Sequence, residues 1–123
     1  MVIELDLPWP PSTLSPNNRL HWSKLSKAKR DFRRTCWVYT MEAKPGPVPD
    51  GDLHLELQFQ PIDARSYDRD NLVARFKAGI DGLCDGLKID DARFKSVTCR
   101  VTKPIKGGRV TVRITGEDNG ISE

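Results

Sequence analysis

Four stretches of the chain alternate apolar and polar residues, the pattern of strands that bury one face. Ile3, Leu5 and Leu7 are interleaved with Glu4 and Asp6. Leu53, Leu55, Leu57 and Phe59 are interleaved with His54, Glu56 and Gln58. Val97, Cys99 and Val101 alternate with Thr98, Arg100 and Thr102, and Val110, Val112 and Ile114 with Thr111 and Arg113. The last two runs flank Lys103-Pro104-Ile105-Lys106-Gly107-Gly108, which reads as a hairpin loop with Gly-Gly at its tip. Two other stretches have the helical period. After Ser23, a suitable N-cap, Leu25, Ala28, Phe32, Cys36 and Tyr39 recur at steps of three and four, with Lys27, Arg30 and Arg34 on the opposite face. That helix must stop before Pro45-Gly46-Pro47-Val48-Pro49. A second helix is expected from Asp70 or Asn71, burying Leu72, Phe76, Ile80 and Leu83. Gly79 and Gly82 weaken it, and Gly86 should lie beyond its end.

The order β-α-β-α-β-β predicts an α+β fold: a single small domain over residues 1–123, with one small sheet and two helices packed on one face. The clean alternation leaves the other sheet face wet or covered by a partner. No internal repeat is visible. The polar stretch 117–123 is expected to be a frayed tail.

Charge adds a second layer. A chain of 123 residues is one domain's worth, and its formal net charge of +3 is mild. Its distribution is not: between Arg19 and Arg34 lie seven basic residues against Asp31 alone. A basic face beside acidic clusters suits a protein that attracts a polyanion and holds a cation against it. Cys36, Cys84 and Cys99 are isolated, with no CxxC pair and no histidine nearby in sequence, so neither a zinc ribbon nor a disulfide framework is indicated. No hydrophobic leader opens the chain and no apolar run approaches ~20 residues, so a soluble, cytoplasmic protein is expected.

The candidate chemistry lies in the carboxylates. Asp68 and Asp70 stand two apart just before a helix, and in extended chain both point the same way. Like charges so placed repel unless a cation sits between them. Their hard oxygens suit Mg²⁺, which takes one or two protein carboxylates and fills its shell with water and phosphate oxygens. The helix start beside them offers backbone N–H groups to a phosphate. Asp is also a favoured N-cap, so either residue has a purely structural reading. Asp91 lies 21 residues beyond Asp70. The helix carries the chain ~20 Å away at ~1.5 Å per residue, and the return through Asp85–Asp91 can span about that distance. Asp91 therefore serves either the same site or one on a second protomer. Asp81 and Asp85, each before a glycine, read as structural.

Read together, these residues resemble the RusA family of Holliday-junction resolvases, small endonucleases common in phages and prophages. The resemblance runs from about Leu5 to Ile114. It begins with Leu7-Pro8-Trp9-Pro10-Pro11-Ser12 and Asn17-Asn18-Arg19, continues with Asp68-Arg69-Asp70-Asn71-Leu72, which fits the family's acidic D-x-D-N-L signature, and closes with Asp90-Asp91-Ala92 and Lys106-Gly107-Gly108-Arg109. It implies a homodimer that resolves four-way DNA junctions by paired nicks in recombination and repair, using Mg²⁺ or a similar ion such as Mn²⁺. The family's essential aspartates map onto Asp68, Asp70 and Asp91. The family carries a functional lysine where this chain has Ala74, and Tyr67 stands where a basic residue is expected. Arg75 or Lys77 is then the candidate catalytic cation.

On this reading Asp68, Asp70 and Asp91 hold one or two metal ions, the metal activates a water and neutralises phosphate oxygens, and Arg75 or Lys77 meets the scissile phosphate. Lys24, Lys27, Lys29, Arg30, Arg33 and Arg34 form the expected DNA track, joined by Arg69, with Arg19, Lys103, Lys106 and Arg109 as further contacts. Other branched DNA such as flaps and forks is a related substrate. A non-catalytic, structure-selective DNA-binding module is the alternative, although three carboxylates facing phosphate need a cation between them. Trp9, Trp22 and Trp37 receive no role.

Overall fold

The computed structural model describes residues 2–116. In it the alternation of the sequence becomes the register of a four-stranded sheet. Strand β1 (Val2–Leu7) is followed by a 3₁₀ turn at Ser12–Leu14 and helix α1 (Trp22–Ala43). Strand β2 (Leu53–Gln60), helices α2 (Arg69–Arg75) and α3 (Lys77–Leu87), a 3₁₀ turn at Asp91–Arg93, and strands β3 (Phe94–Val101) and β4 (Arg109–Gly116) complete the order. The fold is α+β, as expected. The tail at 117–123 lies outside the described residues.

The sheet order is β1-β4-β2-β3. Strand β4 pairs antiparallel with both β1 and β2, whereas β3 pairs parallel with β2. The expected β3–β4 hairpin does not form, because β2 lies between the two strands. Glycines at the tip allow a reversal, but β4 lies between β1 and β2, where Val110, Val112 and Ile114 are fully buried. Ile3, Ile114 and Leu55 align across the sheet, as do Leu5, Val112 and Leu57, and Leu7, Val110 and Phe59. All nine are buried, each contributing about 1.5–3 kcal/mol of apolar burial. The outer face carries Glu4, Arg113 and Glu56 in one row and is polar and accessible.

Helices α1 and α3 close the core over the inner face. Helix α1 begins two residues earlier than expected: His21 is the N-cap, its Nδ1 accepting from the Ser23 backbone N–H. Its buried stripe is Phe32, Cys36 and Thr40, not Tyr39, which is 45% exposed. Thr40 tolerates burial because its hydroxyl donates to the Cys36 carbonyl at 2.8 Å. The expected second helix is two helices meeting at Phe76, whose ψ of 1° departs from the helical value. Leu72, Phe76, Ile80 and Leu83 are buried as the period implied. Gly86 lies inside α3, which ends with Lys88 in the left-handed conformation. Gly82 is a requirement of packing, not a weakness. A Cβ there would collide with the Arg33 carbonyl and stand 3.0 Å from Cys36 Cβ. Cys36 and Cys84 are buried free thiols, each pushed up to about 12 by loss of solvent. Among the described residues no helix is long and apolar enough to cross a membrane.

Candidate nuclease site

Asp68 and Asp70 share an open trough of about 480 Å³ with Arg69, Arg100 and Val101, between the start of α2 and the edge strand β3. Asp68 is the N-cap of α2, with extended backbone. Its Oδ1 accepts from the backbone N–H groups of Asp70 at 2.8 Å and Asn71 at 3.3 Å. Those two N–H groups are thus occupied by a side chain and are not offered to a phosphate, as had been expected of this helix start. The capping geometry leaves Asp68 Oδ2 and the Asp70 carboxylate open. Both residues are exposed, and neither forms an ion pair among the described residues.

Asp91 is held elsewhere. It sits in the 3₁₀ turn that Asp90 caps through the Ala92 N–H, and its Oδ2 accepts from Lys77 Nζ at 3.2 Å. Lys77 Nζ also donates to Asp81 Oδ1 at 3.0 Å. The hydrogen bond from Lys77 lowers the Asp91 pKa, while Asp81 first and Asp91 second raise that of Lys77. Among the described residues no group of three His, Cys, Asp or Glu side chains could hold a metal within one chain. One chain pairs Asp68 with Asp70 in a trough and Asp91 with Lys77 at the head of α3.

Arg75 has a structural post. Its Nε donates to the Pro10 and Pro11 carbonyls at 3.0 and 3.1 Å, and its Nη2 to Pro10 at 2.7 Å. Its guanidinium carbon lies 5.6 Å from the Trp9 ring centre, and burial lowers its pKa. Trp9 meets Tyr67 edge-on at 5.5 Å and Phe59 at 6.1 Å. The Trp9-Pro10-Pro11 stretch and Tyr67 thus fix the strand-to-α2 approach, and Arg75 ties them to α2. Arg100, on the rim beside Asp70, was not singled out from sequence. Its position depends on the parallel pairing of β3 with β2, which no local pattern encodes.

The expected DNA contacts other than Arg69, which lines the trough, are spread over α1, the loop before it, the loop before β4 and the start of β4. Lys24, Lys27, Lys29, Arg30, Arg33 and Arg34 are all exposed along α1. Lys27 pairs with Asp31 at 2.6 Å and Arg33 with Asp85 at 2.7 Å. Asp81 and Asp85 lie within α3 as ion-pair partners of Lys77 and Arg33. Arg19 is exposed in the loop before α1, and Lys103 and Lys106 in the loop before β4. Arg109 bonds Gln60 at 2.7 Å and lies 3.5 Å from Asp6.

No family model matches the chain. It is 40% identical over 116 residues to a protein of Xylella fastidiosa (strain Temecula1 / ATCC 700964) described as an uncharacterized protein, a match covering 91% of this chain and 75% of that one. The chain belongs to the same family as that protein.

Proposed function

We propose that the chain is a magnesium-dependent endodeoxyribonuclease of the RusA Holliday-junction resolvase type, acting as a homodimer on branched DNA. The observation that carries this reading is the pair of exposed carboxylates, Asp68 and Asp70, facing one trough rimmed by Arg69 and Arg100. Two hard carboxylate donors open to water and phosphate are the protein ligands that Mg²⁺ takes. Asp68 Oδ2 and Asp70 would hold the ion, which when bound supplies an activated water and charge neutralisation on the phosphate. Asp68 keeps its other oxygen on the backbone of α2, so the pair is oriented before any ligand arrives. Arg69 and Arg100 draw the phosphate into the trough. Lys77, paired with Asp81 and the catalytic candidate Asp91, is the better placed cation for the scissile phosphate, since Arg75 is turned to the Pro10 and Pro11 carbonyls.

The third carboxylate comes from the second copy. Within one chain Asp91 stands with Lys77, and the trough opens onto β3, an edge strand whose Val97 and Val101 are 46% and 38% exposed. A second copy seated on that edge covers the apolar residues and brings its own carboxylate to the trough. The two-fold symmetry of such a dimer matches paired nicks on a symmetric junction. Cations along α1 supply phosphate contacts that carry affinity without sequence information.

Cleavage of a synthetic mobile four-way junction, in Mg²⁺ and in EDTA with linear duplex as control, tests the reading. Paired nicks near the crossover that require Mg²⁺ are expected. Junction binding by a folded protein that never cuts would overturn the enzyme and leave the DNA-binding module.

A further inference from the structure

The edge of α1 beside α3 carries an indole among cations. Trp37, 37% exposed, lines a shallow cavity of about 440 Å³ with Arg30, Arg33, Arg34 and Asp85. Residues 30, 34 and 37 follow steps of four and three, so they form one stripe on the helix. Arg33 Nε and Nη2 donate to the two oxygens of Asp85 at 2.7 and 2.9 Å. That bidentate pair fixes the Arg33 plane and neutralises the one carboxylate in the cavity. Arg30 and Arg34 take part in no salt bridge among the described residues. A second cavity of about 530 Å³ shares Arg30 and Arg33 and continues over Lys29 on an apolar floor that includes Val73 and Ala78, with Lys77 at its edge paired to Asp81 at 3.0 Å. The two form one cationic band across α1 that ends at an aromatic ring.

We propose that this band seats an unpaired stretch of nucleic acid, with one base stacked on Trp37 and the flanking phosphates on Arg30 and Arg34. A duplex keeps its base faces stacked inside and presents phosphates, which would use the arginines and leave the indole without a partner. An unpaired strand offers both a phosphate and a planar face, and a cationic groove with a stacking aromatic is the arrangement that holds one. An acidic peptide would likewise use the charges alone. The inference rests on the nucleic-acid reading above but not on its metal chemistry, so its test omits the metal.

The experiment measures binding of labelled oligothymidylate and of a blunt duplex of equal length, in EDTA, to the wild type and to Trp37→Ala and Trp37→Phe. Losing one stacked base weakens single-strand binding about tenfold to a hundredfold in Trp37→Ala, while duplex affinity changes less than about twofold because its phosphate contacts remain. Trp37→Phe keeps most of the single-strand affinity, since every ring offers a face. Size-exclusion elution is unchanged in all three proteins.

Equal losses on both ligands, no loss on either, or a shift in oligomeric state with Trp37→Ala would each overturn the proposal. So would displacement of the oligothymidylate by a polyglutamate peptide of equal charge. Failure on single strands with duplex binding intact removes this inference alone. Failure of the wild type on every nucleic acid removes the function proposed above as well.

Discussion

Asp68 accepts the backbone N–H of Asp70 at 2.8 Å, so the first carboxylate of the trough fixes the backbone that carries the second. Capping occupies Oδ1 of Asp68, and the proposed metal binding falls to Oδ2. Asn is as good an N-cap as Asp and lacks the charge. Asp68→Asn is therefore expected to unfold within about 0.5 kcal/mol of the wild type yet lose Mg²⁺-dependent nicking. Asp68→Ala is expected to lose nicking and about 0.5–2 kcal/mol of stability together. Urea melts beside nicking assays read both; full nicking by a stable Asp68→Asn would remove this residue from the metal.

The proposed contribution of Asp91 from a second copy has a direct consequence for mixed dimers. Asp70→Asn and Asp91→Asn homodimers should each be inactive. After subunit exchange, half of the dimers combine one of each and contain one wild-type site if Asp91 acts across the interface. Nicking should then return to about a quarter of the wild-type rate. A mixture that stays inactive under proven exchange places Asp91 in its own chain's site.

Arg75 is expected to act through the loop it holds. Arg75→Leu removes charged hydrogen bonds to two backbone carbonyls and should cost about 1.5–3 kcal/mol, read as a lower urea midpoint. Arg75→Lys should recover only part of this, because an ammonium cannot reproduce the fork of bonds to Pro10 and Pro11. A stable Arg75→Leu with unchanged fold would refute the structural assignment.

The Arg33–Asp85 pair predicts a pH dependence. Its hydrogen bonds hold the Asp85 carboxyl below the ordinary 3.8. The folded state binds that proton less well than the unfolded chain, so the stabilisation is full above the unfolded value and fades as pH falls through the folded one. The pair is half exposed, so its contribution is about 0.5–1 kcal/mol. Wild type should exceed Asp85→Asn by that amount at pH 7, with the gap closing as the pH falls below the ordinary carboxylate range. A gap that persists at pH 2 would mean that Asp85 acts by packing and not by charge.

Local pattern carried much of this architecture. Every strand was legible because Leu55, Leu57 and their counterparts alternate with a period of two, and Phe32, Cys36 and Leu72 mark the helix faces. The position of β3 was not legible. Val97, Cys99 and Val101 alternate equally well for parallel and antiparallel partners, and a local glycine turn says nothing of a strand inserted between. Gly82 read as a weak helix position because the Arg33 carbonyl that requires it belongs to another helix. At the site, Asp68 and Asp70 were legible as a pair because they are neighbours in sequence. The separate position of Asp91 beside Lys77, and the engagement of Arg75 with Pro10 some 65 residues away, are tertiary relationships that spacing leaves open.

On the proposed reading Asp70 holds the metal on which nicking depends. The most direct measurement compares wild type and Asp70→Asn on one labelled four-way junction, recording binding in EDTA and nicking after addition of Mg²⁺ in the same samples. Equal or tighter binding by Asp70→Asn is expected, since a charge facing phosphate is gone, with nicking lowered at least about a hundredfold, the scale on which loss of a catalytic electrostatic group acts. Undiminished Mg²⁺-dependent nicking by Asp70→Asn would contradict that reading.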